Sequence, residues 1–109
     1  MKSIGLKTIS LNPEEMWPLL NVLNEACHGL NISNFEKLFG KRELLIDLMD
    51  RLAQAEEKVR PLVFNNLDLE IIKRSFIEVF KEIEAWEFQT RIGIPREEAI
   101  KIQEKIDCL

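Results

Sequence analysis

The sequence has one histidine, two cysteines and four glycines that never cluster. Each scarcity removes a class of chemistry. A nucleophilic triad would have to draw on His28 alone. Ser3, Ser10, Ser33 and Ser75 sit in no strand-to-helix elbow that would present a hydroxyl to it. Isolated glycines build no phosphate-cradling loop. Cys27 and Cys108 form no metal-ligand spacing; one disulfide between them is the alternative to two buried or idle thiols in a reducing cytoplasm, which is the favoured reading. No window approaches the ~18 apolar residues of a membrane span. Met1-Lys2 leads straight into mixed polar sequence, without the apolar core of a secretory leader. The expectation is a cytoplasmic protein with no enzymatic chemistry, no cofactor and no metal.

What is present suits a globular chain. Hydrophobic residues make up 46% and charged residues 31% of 109 positions, enough for one domain, 1–109, with a real core. Fifteen Lys and Arg face 19 Asp and Glu, for a net charge of −4. The two signs are interspersed, and neither half is a basic block. Nucleic acid and anionic membrane are therefore disfavoured partners.

An internal repeat organises the chain. Residues 9–40 lie over residues 62–93 without a gap. Asn12 meets Asn65, Glu25 meets Glu78, Phe35 meets Phe88 and Gly40 meets Gly93. Apolar positions agree too, among them Ile9 with Leu62, Leu19 with Ile72 and Leu23 with Phe76. One inserted residue extends the match from Arg42-Glu43 and Arg96-Glu97 to Leu52 and Ile106. The repeat thus spans 9–52 and 62–106.

Each unit reads as a short extended piece followed by helices. Alternation in "LKTISL" (6–11) and "PLVF" (61–64) predicts two short strands. Asn12, with Pro13 and Glu15, is an N-cap with a capping box; in the second unit Asn65 or Asn66 can cap, with Asp68 favourably placed near the helix dipole. The first helix runs from Pro13 to His28, with a mild kink at Pro18 and a stop at Gly29. Its apolar stripe is Met16, Leu19, Leu20, Leu23, Ala26 and Cys27. The second long helix is predicted over 67–91 without interruption. Leu69, Ile72, Phe76, Val79, Phe80 and Ile83 form its stripe, and Leu67, Ile71 and Ile77 lie off it. Ser33 and Glu36 suggest a capping box for a short helix over 34–39. Closing helices are expected at 41–59, with Leu45, Leu48, Met49, Leu52 and Val59 inward, and at 95–107, with Ala99, Ile102 and Ile106 inward.

The fold class that follows is mainly α, with small α+β character. It is a tandem duplicated β-α-α unit of four to five helices, its two extended segments pairing as a ribbon. A plain helical bundle with extended arms is the alternative.

Three constellations bear on function. "EFQTRIGIPREEA" (87–99) has the outline of a helix-turn-helix DNA reader spanning 88–106. Its second helix carries Arg96, Lys101 and Lys105 against Glu97, Glu98, Glu104 and Asp107, and DNA affinity needs unopposed cations. The same outline recurs at 35–43, where a structural turn explains it. "EACH" (25–28) places Glu25 three before His28, half of a di-iron carboxylate motif. Its repeat counterpart has Lys81 in place of the histidine, which favours a solvated or capping His28. "EVFKEIEAWE" (78–87) sets Glu78, Glu82, Glu84 and Glu87 beside Trp86. A solvated acidic helix face is the plain reading, and a contact for a basic partner the alternative.

Taken together, the sequence predicts a small protein working through protein contacts, as an adaptor, regulator or inhibitor, with a second copy as the simplest partner. Trp17, Trp86, Glu82, Arg91 and Arg96 are the candidate contact residues, because Trp and Arg are enriched where interfaces concentrate their energy. A helix-turn-helix regulator using 88–106 is the competing reading.

Overall fold

The computed structural model describes residues 7–9, 11–29, 35–57 and 62–109, apart from the side chains of Leu38, Glu56 and Glu57. The described chain is mostly helical, with one small sheet. In order it comprises β1 (Lys7–Ile9), α1 (Pro13–Asn24), a π-helical turn (Glu25–Gly29), α2 (Phe35–Phe39) and α3 (Arg42–Glu57). Then come β2 (Leu62–Phe64), α4 (Asn66–Glu82), α5 (Ala85–Ile92) and α6 (Arg96–Asp107). Expected elements at Ser33, Val59 and Pro61 lie outside the described residues.

The two strands pair antiparallel, with Lys7 opposite Phe64, Thr8 opposite Val63 and Ile9 opposite Leu62. Ile9, Leu62 and Phe64 are buried and Val63 is exposed. The ribbon therefore turns one face to the helices, as a two-stranded sheet must to persist in water.

Helices α1 and α4 both open on asparagine capping boxes; that of Asn12 is as expected, and in the second unit the cap is Asn65 rather than Asn66, with Asp68 completing a box. Glu15 N–H donates to Asn12 Oδ1 at 2.9 Å, and Asn12 N–H donates to Glu15 Oε1 at 3.2 Å. In α4 the cap is Asn65, and its reciprocal partner is Asp68, at 2.7 and 3.1 Å. Each box satisfies two N–H groups that a helix start leaves without partners. Asp68 is also bound by Arg51 of α3, and Glu15 by Lys105 of α6 at 3.1 Å. The capping-box acid of α1 and that of α4 thus each meet a cation from another helix.

The structure corrects the helix from 67 to 91 and the count of four to five helices. Six α-helices lie among the described residues, because the chain breaks at Ile83 and Glu84. Ile83 is extended, with φ −100° and ψ 122°. The reason is packing. Continued at helical spacing, the stripe through Phe76, Val79 and Ile83 would bring Glu87 and Thr90 inward. The break rotates Phe88 and Ile92 into the core instead, and both are fully buried. At the other long helix, Pro18 is accommodated inside α1, and the irregularity falls later, at the π-helical turn.

One cluster of buried side chains runs through all the helices and the ribbon. Leu19, Leu23, Leu45, Leu48, Leu52, Ile72 and Ile106 are fully enclosed, each burial worth about 1.5–3 kcal/mol. Helix α1 packs against α3, α4, α5 and α6, and α4 against α2, α6 and β2. Phe76, Phe80 and Phe88 pack in series, the first pair tilted and the second stacked, with ring centroids 5.9 and 5.5 Å apart. No described helix is long and apolar enough to cross a membrane.

Candidate partner-contact surface

Trp17 and Trp86 both stand in solvent, at 63% and 79% exposure. Trp17 projects from α1 one helical turn after Glu14. Residues 13, 14, 17, 18 and 21 are linked by helical spacings of three and four, so they make one strip of the helix surface. That strip forms one wall of a groove of about 420 Å³. The other wall is the turn after α5, with Ile92, Gly93 and Ile94.

The groove has a fixed floor. Asn21 Nδ2 donates to the carbonyl of Ile92 at 2.6 Å, tying α1 to the end of α5. Gly93 ends α5 in the left-handed region, at φ 100°, where a side chain is strained. A Cβ there would stand 3.3 Å from Asn21 Nδ2. The glycine therefore lets the chain turn and keeps the groove open.

The other candidates fall in different settings. Glu82 is exposed at the last residue of α4. Its neighbour in the acidic run, Glu78, is buried, which corrects the expectation of a fully solvated acidic face. Arg91 turns inward and pairs with Glu25 across α5 and the π-helical turn. Hydrogen bonding to Glu25, opposed by partial desolvation, holds its guanidinium above its ordinary range. Arg96 lies over Phe80, 4.9 Å from the ring centroid, and so caps the phenylalanine stack. Arg42 does the same over Phe35 at 4.0 Å. The structure does not gather Trp17, Arg91 and Arg96 into one site. Trp17 faces solvent, whereas both arginines are spent on internal contacts.

The helix-turn-helix outline is present as α5, the Gly93 turn and α6, but its cations are engaged. Lys101 pairs with Glu98 at 3.1 Å and Lys105 with Glu15, while Glu97, Glu104 and Asp107 face solvent. In "EACH", Glu25 is taken by Arg91 and His28 is exposed. Among the described residues no three His, Cys, Asp or Glu side chains converge to hold a metal ion. Cys27 is buried and Cys108 exposed, and both are free thiols.

Sequence reasoning singled out Trp17 but missed Glu14, Asn21 and Ile94 as its companions. Half of the signal was readable, since Glu14, Trp17 and Asn21 share a helical face. Placement of Ile94 opposite them depends on tertiary packing. The chain matches no known protein-family model, curated protein or solved structure.

Proposed function

We propose that this is a non-enzymatic helical protein of the cytoplasm that works through protein contacts, as an adaptor, regulator or inhibitor of another protein. The observation that carries the reading is Trp17, largely solvent-exposed beside a formed apolar groove. Leaving so large an apolar side chain in water forgoes a few kcal/mol of burial, and Trp is the residue most enriched at binding hot spots. Trp86 offers a second exposed indole. A second copy of the chain is the simplest partner for such surfaces.

The chain is also proposed to be a tandem duplication of a β-α-α unit, 9–52 and 62–106, about a pseudo-two-fold axis. Ile9 and Leu62, equivalent in the repeat, face each other across the ribbon, as an axis through that pair requires. Both units open on an asparagine capping box. Arg51 and Lys105 are equivalent once the one-residue insertion is counted, and each binds the first-turn acid of the other unit. Gly40 and Gly93 both adopt positive φ.

The helix-turn-helix regulator is the second reading, supported by the α5–turn–α6 outline. Its weakness is electrostatic. Phosphate binding needs several free cations, and Arg91, Arg96, Lys101 and Lys105 all have intramolecular partners.

Nuclease and protease treatment of the native complex separates the two. Protein isolated from its cell at low salt is split into two portions. Loss of the complex on mild proteolysis of the partner, with nuclease harmless, is the expected result. Loss on nuclease treatment, with steep salt dependence, would replace this reading with the DNA-binding one.

A further inference from the structure

We infer that the Trp17 groove is a docking site for an extended peptide segment of a partner protein, read through one arginine flanked by proline or leucine. The inference rests on the protein-contact reading above and names the partner's chemistry.

Glu14 and Trp17 are three residues apart on α1, and both are exposed. Among the described residues Glu14 takes part in no ion pair, whereas Glu15 and Glu98 nearby are paired with Lys105 and Lys101. A free carboxylate and an open indole face therefore stand side by side. A guanidinium suits both. It is planar, stacks on indole and presents paired N–H donors to a carboxylate. An ammonium stacks less well and donates as a point. The chain's net charge of −4 favours approach of such a segment and opposes a phosphate backbone or an anionic lipid surface.

The apolar part of the groove selects the flanking residues. Pro13 and Ile94 supply the accessible apolar surface beside Trp17, with Pro18 and Ile92 buried behind it, and Asn21 is already bound to the Ile92 carbonyl. An open groove edged by one exposed indole suits a polyproline-like strand. That strand is extended before it binds and loses little entropy on docking.

The test uses the full chain labelled for NMR. The Trp17 indole N–H is assigned by its survival in Trp86→Phe. Two blocked peptides are titrated: acetyl-Pro-Leu-Arg-Pro-amide and a twin with citrulline replacing arginine, which keeps the shape and loses the charge. The arginine peptide is expected to shift the Trp17 signal and to bind about tenfold more tightly than the citrulline twin. Glu14→Gln should erase that difference, with the spectrum otherwise unchanged. Equal binding of both peptides would overturn the arginine reading and leave the protein-contact reading standing. No Trp17 shift with either peptide would overturn the docking site altogether. A shift driven by protein concentration alone would assign the groove to a second copy, again against the inference but within the broader reading.

Discussion

Arg51 reaches from α3 to the first turn of α4 and closes two hydrogen bonds on Asp68, at 3.0 and 2.6 Å. Asp68 is buried, and the same carboxylate completes the capping box of Asn65. One side chain thus satisfies the start of a helix and fastens that helix to its neighbour. The Arg51 side chain is 45% exposed, so solvent screens its half of the pair. Asp68→Ala should therefore cost more than Arg51→Ala, about 2 kcal/mol against about 1 kcal/mol. Urea unfolding of the two variants measures both, and the reverse order would show that the cap contributes little.

Hydrogen bonding to Asp68 and to Glu25 raises the Arg51 and Arg91 guanidiniums above their ordinary range. A group raised on folding contributes stability fully below its unfolded pKa and loses it as pH climbs through the folded value. For arginine that loss begins only in strong alkali. The stability difference between wild type and Arg51→Met should then stay constant from about pH 7 to about pH 10. A difference that shrinks across that window would assign the effect to another titrating group.

Gly93→Ala places a side chain at φ 100° and against Asn21. The expected loss is about 1–2 kcal/mol. Gly93→Asn should lose less, because asparagine tolerates the left-handed region. Asn21→Ala removes the bond to Ile92 and should cost about 1 kcal/mol. Thermal unfolding of the three variants ranks them, and a neutral Gly93→Ala would deny the turn its role.

Trp17→Ser and Trp86→Ser should each change stability by less than about 0.5 kcal/mol, because exposed side chains away from caps and core carry little folding energy. Calorimetry of the two variants checks this. A loss above about 2 kcal/mol in either would mean that its indole packs against the fold.

Much of the fold was legible in the sequence where the signal was local. Asn12 with Glu15, and an asparagine at 65 or 66 ahead of Asp68, announced two helix starts through side chains that reach only their own turn. The stripes through Leu19 and Leu23, and through Ile72 and Phe76, followed from a 3.6-residue period. Gly93 marked its own helix end. The break at Ile83 was not legible, because neither proline nor glycine lies there; what forces it is the gain from burying Phe88 and Ile92. The π-helical turn at Glu25 gave no compositional sign. Arg91 looked like a free cation for the same reason, since its partner Glu25 is remote in sequence. The site was readable at Trp17 and along its helical face, and unreadable where α5 and its turn close the groove.

Whether Trp17 anchors a partner protein is decided by quantitative capture from the native cell, with wild type, Trp17→Ser and Trp86→Ser as baits of matched stability. Wild type is expected to retain one protein in stoichiometric amount, reduced at least about tenfold on the Trp17→Ser bait. Equal retention by all three baits would contradict it, as would recovery of nucleic acid in place of protein.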